Sequence, residues 1–234
     1  MKKLTLILLS LLCIAIAGCA PSVKEEAERL NNDYMVTSQK IWNDSFLTNF
    51  KQVNQNKTKQ EQEVYYAEVA EHFKPQYLEL DKKIQAEKVQ KSNEHLLELQ
   101  KRQIQNLIAA LDDLIVLKKK INFNLATWDN NNTNHLRAIF DTRLEYENEY
   151  KQITTGKGTY EVTLANYQKI NNGDSYEKIA EIFKMPGKQT YSSISNLGDR
   201  NDVYETYEWG EKDKFVQVNF RNNKAYRASQ FQLQ

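Results

Sequence analysis

The spacing of apolar residues divides the chain into three parts. Residues 4–16 are mostly apolar, and between residues 23 and 152 apolar side chains recur every three or four positions. This period predicts three or four antiparallel helices. The first helix covers residues 23–54. The second begins at Lys59, and Pro75 should bend or restart it. The run over 76–121 can form one helix, and the last helix covers residues 135–152.

The long run carries a heptad pattern. Two series of apolar residues repeat every seven positions: Leu97, Ile104 and Leu111, and Leu107, Leu114 and Ile121. Such a seam is typical of a coiled coil or a long helical hairpin. Residues 85–93 have almost no apolar side, so the helix either breaks there or stands in solvent. The asparagine-rich run 130–134 predicts a polar turn before the last helix.

Glycine separates the helical half from the rest of the chain. No glycine occurs between residues 20 and 155, and Pro75 is the only proline in the helical half after the first few residues. Because glycine and proline cost about 1 and 3 kcal/mol in a helix interior, their scarcity leaves helices uninterrupted. The run Thr-Thr-Gly-Lys-Gly at 154–158 is interpreted as a linker. The expected units are a helical bundle or coiled-coil stalk over 23–153 and a small domain over 159–234.

The small domain changes to a two-residue period after two short helices. Thr163 is a predicted cap for a helix over 164–170, and Asp174 or Ser175 caps the second helix. Four strand-like runs follow, at 189–194, 203–209, 215–220 and 224–231. Arg-Asn-Asn-Lys at 221–224 predicts the last hairpin turn. The predicted fold class is therefore α+β, a helical bundle followed by an α-α-β-β-β or α-α-β-β-β-β domain whose antiparallel sheet has both helices on one face.

The start of the chain has the form of a bacterial lipoprotein signal. Two lysines precede the apolar stretch 4–16, which is shorter than the roughly 20 residues of a spanning helix. It closes on Ile-Ala-Gly-Cys, which is typical of a lipoprotein processing site. We expect cleavage between Gly18 and Cys19, which removes residues 1–18. An ordinary secretory signal with an incidental cysteine is the alternative.

The expected anchor is a diacylglycerol on the sulfur of Cys19, with residues 19–22 as a tether. Each buried methylene contributes about 0.8 kcal/mol, so two acyl chains would hold the protein on the outer face of the cell membrane. Cys13 leaves with the leader, so no thiol remains for a disulfide or a metal. The chain without the leader has 30 basic and 31 acidic residues, which offers no field for nucleic acid.

The small domain resembles a known family. Residues 163–182 read Thr-Leu-x-x-Tyr-x-x-Ile-x-x-Gly-x-Ser-Tyr-x-x-Ile-x-x-Ile, followed by Pro186-Gly187, Tyr207-x-Trp209, and Val-x-Val-x-Phe-x-Asn-x-Lys at 216–224. This pattern resembles the small domain of bacterial lipoproteins related to the SmpA/OmlA (BamE) group, which has the fold of half a beta-lactamase inhibitor protein. The resemblance implies a non-enzymatic, protein-binding module on a membrane-anchored stalk.

One departure from the family pattern and one further likeness qualify this picture. Relatives in that group usually have a glycine before the proline that follows the second helix, where this chain has Phe-Lys-Met at 183–185, so that turn is expected to differ. In the helical half, Glu63-Val64-Tyr65-Tyr66 is similar to the signature of the EMYY-motif lipoproteins, whose function is unknown.

No pattern in the sequence points to catalysis or to a metal site. The three histidines, His72, His95 and His135, lack metal-ligand spacing. No nucleophile elbow, phosphate loop or cysteine-histidine pair is present. We therefore expect no enzymatic activity and no cofactor apart from the lipid on Cys19.

Aromatic residues crowd the small domain and supply a candidate binding surface. Tyrosine and tryptophan are favoured at recognition surfaces because they combine large rigid area with a polar group. Tyr207 and Trp209 should face the helices, which leaves Tyr204 for the open face of the sheet, and Tyr191 and Tyr226 are the other candidates. The alternative is that most of these rings are core.

The expected partner of this surface is a protein. A cell-wall polymer such as peptidoglycan, on which exposed rings would stack, is one alternative. A secreted hydrolase that the small domain inhibits is another, and it depends on fold analogy alone.

Overall fold

The computed structural model describes residues 21–50, 52, 57–117, 125–197 and 200–233. The predicted signal peptide, its cleavage site at Gly18 and the lipid-bearing Cys19 lie outside these residues. Helices precede a four-stranded antiparallel sheet, with about 62% of the chain helical and 19% in strands. The predicted α+β class is confirmed.

The first helix, α1, alternates between α-helical and π-helical geometry. Its α-helical segments are Val23–Leu30, Thr37–Lys40 and Leu47–Phe50, and wider π-helical turns at Asn31–Val36 and Ile41–Phe46 join them. A capping box starts the helix. The Ser22 hydroxyl accepts from the Glu25 amide, and the Glu25 carboxylate accepts from the Ser22 amide.

Three more helices complete a bundle. They are α2 (Lys59–Gln85), α3 (Glu94–Leu117) and α4 (Leu125–Thr155), and a 3-10 turn at Lys91–Asn93 leads into α3. Contacts along each pair fix the directions. Tyr65 and Tyr77 of α2 donate to the carbonyls of Asn49 and Ser38 in α1, and Arg102 and Asn106 of α3 contact Glu145 and Thr142 of α4. Neighbouring helices run antiparallel, as predicted, in an up-down-up-down arrangement.

Two expectations about the middle of the bundle have different outcomes. The run over 76–121 breaks where its apolar side fades, because α2 ends at Gln85 and α3 begins at Glu94. The restart at Pro75 is wrong, since α2 continues through this residue. Phe73 and Tyr77 are buried on either side of the proline, and their packing outweighs the roughly 3 kcal/mol that proline costs.

The predicted turn at residues 130–134 is also wrong, because α4 already begins at Leu125. Asparagine costs at most about 0.7 kcal/mol per residue in a helix, far less than proline, so a run of asparagines does not end a long helix by itself. The helix expected from residue 135 therefore starts ten residues earlier.

The small domain contains two short helices and four strands. The helices are α5 (Leu164–Tyr167) and α6 (Tyr176–Phe183), and the strands are β1 (Lys188–Leu197), β2 (Arg200–Glu211), β3 (Lys214–Arg221) and β4 (Lys224–Phe231). The strands pair in the order β1-β2-β3-β4, and every pair is antiparallel. Thr163 and Ser175 cap the two helices through their hydroxyls, as predicted.

Two tight turns depend on left-handed backbone. Asn222 and Asn223 have φ of 51° and 59°, which matches a two-residue hairpin turn between β3 and β4. At the end of α6, Lys184 has φ of 54°. A left-handed residue commonly ends a helix and is usually glycine, so the lysine occupies the conformation that glycine would adopt more easily.

Helix α4 takes part in two separate cores. Its buried Tyr146 packs with α1, α2 and α3, whereas its buried Leu144 packs with the small domain. In that second core α6 lies against one face of the sheet, and the core residues of the small domain are Tyr176, Ile179, Ala180, Phe183, Tyr207, Trp209, Val216, Val218, Phe220 and Ala225. The small domain is thus packed directly on the last helix of the bundle.

Candidate binding surface

The register of the strands decides which aromatic residues are core. Tyr207 and Trp209 point to the helices and are 5% and 0% exposed. The Trp209 indole N–H donates to the Met185 carbonyl at 2.9 Å, and its ring contacts those of Tyr176 and Phe183. The expectation that Tyr207 and Trp209 pack on the helices is confirmed.

The opposite face of the sheet is open, and cross-strand pairs define its composition. Directly paired residues of adjacent strands point to the same face. The pairs on the open face include two rows across all four strands: Tyr191, Thr206, Asn219 and Arg227, and Ser193, Tyr204, Arg221 and Lys224. We call these eight residues the open-face rows.

Two of the three candidate tyrosines meet in the open-face rows. Tyr191 and Tyr204 lie on adjacent strands in diagonal positions, since Tyr204 pairs with Ser193. Such diagonal neighbours are about 7–8 Å apart, within reach of aromatic side chains. Tyr191 is 56% exposed, whereas Tyr204 is partly covered by the Arg221 guanidinium at 5.9 Å from its ring.

Tyr226 lies apart from the other two. It occupies the bulge of β4 between the pairs of Ala225 and Arg227, and it is 51% exposed. Two strands separate it from β1, which places it about 14 Å from that strand at 4.8 Å per strand. The three candidate tyrosines therefore do not form one contiguous aromatic patch.

Charge on the open face is unbalanced toward positive. Arg221, Lys224 and Arg227 lie in the open-face rows, and the two carboxylates on this face already have partners. Asp202 accepts from Arg221 at 2.5 Å, and Glu208 accepts from the Gln217 amide at 3.0 Å. The arrangement can bind an acidic or hydroxyl-rich surface through cations, amides and tyrosine rings.

An aromatic pair beside the open-face rows was not predicted. Phe215 of β3 and Phe231 of β4 pair across the strands and stack with their ring centroids 4.4 Å apart. A signal for it existed in the sequence. A hairpin turn at Asn222 and Asn223 brings the two phenylalanines to the same end of the β3–β4 hairpin, although the bulge near Tyr226 shifts the register by one residue.

A polar joint connects α4 to the small domain. The Arg137 side chain is 12% exposed and donates to the Glu205 carboxylate at 3.0 Å and to the Asn223 side-chain oxygen at 3.3 Å. Its guanidinium lies 4.5 Å from the centre of the Tyr176 ring, a cation–π geometry. Burial opposes its charge, but Tyr207 and Glu205 outweigh that effect and raise the pKa of Arg137.

Asp141 lies one turn further along α4 in the same joint. The Tyr176 hydroxyl donates to its carboxylate at 2.8 Å and accepts from the Gly187 amide at 2.9 Å. Burial raises the pKa of Asp141 to about 6, although the hydrogen bond from Tyr176 and the nearby Arg137 act in the opposite direction. No local pattern in the sequence announces this joint, because its partners are 35 to 86 positions apart.

The described residues contain neither a metal-binding cluster nor a membrane-spanning helix. Within them, no group of three or more His, Cys, Asp or Glu side chains is arranged to hold a metal ion. His95 lies beside Glu149, and His135 beside Asp113, in separate places. None of the helices in the described part of the chain combines the length and the apolar character needed to cross a membrane.

No family model, curated protein or solved structure matches this chain.

Proposed function

We propose that this protein is a lipid-anchored, extracytoplasmic lipoprotein that binds a partner protein without catalysis. The lipid is a diacylglycerol on Cys19, and the binding surface is the open face of the four-stranded sheet. The resemblance of residues 160–233 to the small domain of the SmpA/OmlA (BamE) group supports a protein-binding role. The form of the first 19 residues supports the anchor.

One observation carries the binding proposal. The sheet is covered on one face by α6 and α4, while its other face presents Tyr191, Tyr204 and an excess of cations. Rings with polar groups, rimmed by arginine, are the composition that protein interfaces favour. An acidic protein surface fits this face best, because the carboxylates of the face are already paired.

A crosslinking experiment in intact cells tests the binding proposal. The full chain is crosslinked in its own envelope, and the captured protein is compared between the parent, Tyr191→Ala, Tyr204→Ala and Tyr160→Ala chains. Tyr160 is 40% exposed but precedes α5, outside the sheet, and so serves as the matched control. We expect both sheet variants to lose a specific partner about tenfold, as for interface tyrosines that contribute over 1 kcal/mol, and the control to retain it.

Two results would contradict the proposal. Capture that is equal in all four chains would show that the open face is not the binding surface. Retention of the parent chain on purified peptidoglycan, with loss in the two sheet variants, would assign this face to the wall polymer instead. The anchor is tested separately by Cys19→Ser, which should release the chain from the membrane fraction and change its electrophoretic migration.

A further inference from the structure

The two outer edges of the sheet differ in whether another segment covers them. The outer edge of β4 is occupied by the segment between α5 and α6. The Ala225 amide donates to the Asp174 carbonyl at 2.8 Å, and the Ala225 carbonyl accepts from the Gly173 amide at 2.7 Å. The Tyr167 hydroxyl adds a hydrogen bond to the Ala228 carbonyl at 3.3 Å. This edge is thereby protected against pairing with another strand.

The outer edge of β1 has no such cover. Within the described residues, no hydrogen bond reaches its backbone from any segment other than β2. Residues 188–195 read Lys-Gln-Thr-Tyr-Ser-Ser-Ile-Ser, with no proline and with one charge, Lys188, at the start. Charges, prolines and covering segments are the means by which natural edge strands avoid pairing, and β1 has almost none of them beyond the bulge near Tyr191.

The sheet extends at β1 beyond its own core. No residue of β1 belongs to either buried core among the described residues. Ile194, on the face toward the helices, is 66% exposed, and Tyr191, on the open face, is 56% exposed. A strand added beside β1 would place side chains next to both residues and bury them from two sides.

We propose that β1 pairs antiparallel with β1 of a second copy of this chain, which joins the two sheets into one of eight strands. A two-fold axis through the middle of the strand gives this geometry and closes the dimer. The edge is its own complement because it is extended, almost uncharged and, among the described residues, without a backbone partner on its outer side. Lys188 does not oppose the pairing, since antiparallel strands place the two lysines roughly 25–35 Å apart at 3.3 Å per residue.

Strand β4 is unsuited to the same pairing. It carries Arg227 at its middle, and antiparallel self-pairing would set the Arg227 cations of two copies close together. The dimer through β1 flanks Tyr191 and Ser193 but does not cover the open face, and it sets the open-face rows of the two copies side by side. The proposal thus goes beyond the binding of one partner, because two joined faces can engage a repeated or two-fold symmetric partner with increased avidity.

A cysteine scan along β1 tests the pairing in the full chain. Single variants Ser192→Cys, Ser193→Cys, Ile194→Cys and Ser195→Cys are produced in cells, and isolated membranes are oxidised mildly. The parent chain, whose cysteines are Cys13 and Cys19, sets the background. Ser229→Cys on β4 is the matched control for an edge strand that is not expected to pair.

We expect one position in the scan to give a strong disulfide dimer, with yields that fall on both sides of it, because only the residue on the two-fold axis faces itself. No β1 position above background, an equal yield at Ser229→Cys, or disulfides with other proteins alone would each overturn the proposal. High background in the parent chain would instead point to an unmodified Cys19, which separates failure of the anchor from failure of the pairing.

A second variant tests whether the disulfide reports pairing of the two β1 strands. Ile194→Lys places like charges near the axis of the dimer and leaves the monomer intact, because this side chain is largely exposed. Added to the best cysteine variant, it should lower the yield of dimer at least about fivefold. An unchanged yield would contradict pairing through this edge. Circular dichroism of the purified chain checks that the fold is retained.

Discussion

The two cores of this protein use different side chains to hold their parts of the chain together. The bundle core is mostly aliphatic but encloses several polar residues, among them Glu26, Asn93, Gln100 and Gln103. The core of the small domain is aromatic, with Tyr176, Phe183, Tyr207, Trp209 and Phe220 in ring contact. The partly buried charges of the joint with α4, Arg137 and Asp141, lie next to this aromatic core, and the small domain also buries Asp174 and Asp202.

The difference in composition reflects how each core selects a single packing arrangement. Four similar helices can pack in several registers, and buried hydrogen bonds select one of them. Asn93 donates to the Glu26 carboxylate at 2.7 Å, and Gln100 donates to the Leu30 carbonyl at 2.9 Å. A small domain has little chain to bury, so large interlocking rings give more buried area per residue. Polar pairing selects register in one core, and ring shape does so in the other.

The largest effect that separates the two cores is expected for Trp209→Ala. Its ring is fully buried, and a Cβ added at Gly187 would lie 2.6 Å from it, so the site is tightly filled. We expect a loss of about 3–5 kcal/mol in the stability of the small domain. In thermal melts, the part of the near-ultraviolet signal that comes from the aromatic core of the small domain should disappear well before the helical far-ultraviolet signal.

Trp42→Ala is the matched control in the bundle. Trp42 stacks on Phe46 with 4.6 Å between ring centroids. Its loss should lower the transition of the helical signal and spare the small domain. Equal loss of both signals in both variants would show that the two cores unfold as one unit.

The next largest effect concerns the joint and is expected for Arg137→Met. The methionine retains length but leaves Glu205 without its ion pair, and it removes one of the two hydrogen bonds to the Asn223 side-chain oxygen, which also accepts from the Tyr176 amide. We expect a cost of about 3 kcal/mol, since one partner of a buried pair is left uncompensated. Two separate transitions should appear in urea unfolding, where the parent chain shows closer coupling.

Arg143→Met on the same helix provides the control. Its pairs with Glu147 and Glu181 are partly exposed, so the expected cost is no more than about 1 kcal/mol. If the two arginine variants lose equal stability, the joint has no special role in holding the small domain on α4.

The smallest effect depends on pH and concerns Asp141. Burial raises the pKa of Asp141 from its ordinary 3.8 to about 6, so the ionised carboxylate opposes folding. The stability that depends on the neutral carboxyl group is therefore complete below about pH 3.8 and is lost as the pH rises through 6. Asp141→Asn keeps an acceptor for Tyr176 and removes the titration. Relative to the parent, the variant should gain about 2 kcal/mol between pH 4 and pH 7.5 in urea unfolding.

The exposed Glu98 of α3 supplies the control for this pH series. Glu98→Gln should follow the parent chain at both pH values. A parallel course of the Asp141→Asn and parent curves would mean that the carboxyl group of Asp141 is not held away from water in the folded protein.

Much of the fold could be predicted because its signals are local. Asn222 and Asn223 tolerate positive φ, Thr163 and Ser175 are good caps, and the alternation along β3 matches its burial. At Pro75 the packing of Phe73 and Tyr77 outweighed local preference, whereas at residues 130–134 the cost of asparagine in a helix was too small to end a long helix. Local chemistry therefore predicts where elements turn, but it predicts less well where a long element must stop.

The features of the candidate site likewise differ in whether a local sequence signal predicts them. Alternation in β2 assigned Tyr204 and Trp209 to opposite faces, and the structure agrees. The joint around Arg137 and the bare edge of β1 had no signal, because each depends on segments distant in sequence. The π-helical turns of α1 were likewise unpredicted.

With the proposed lipid on Cys19, the capping box at Ser22 would limit how far the bundle stands from the membrane. The helix begins at Val23, so a lipid on Cys19 would leave a leash of only roughly 10–15 Å between bilayer and bundle. Helix α4 returns to the same end of the bundle, and roughly 25 Å of it separates Thr155 from Arg137. With that anchor the sheet would stand at a nearly fixed height, and the proposed partner would have to reside in the envelope or extend to that level.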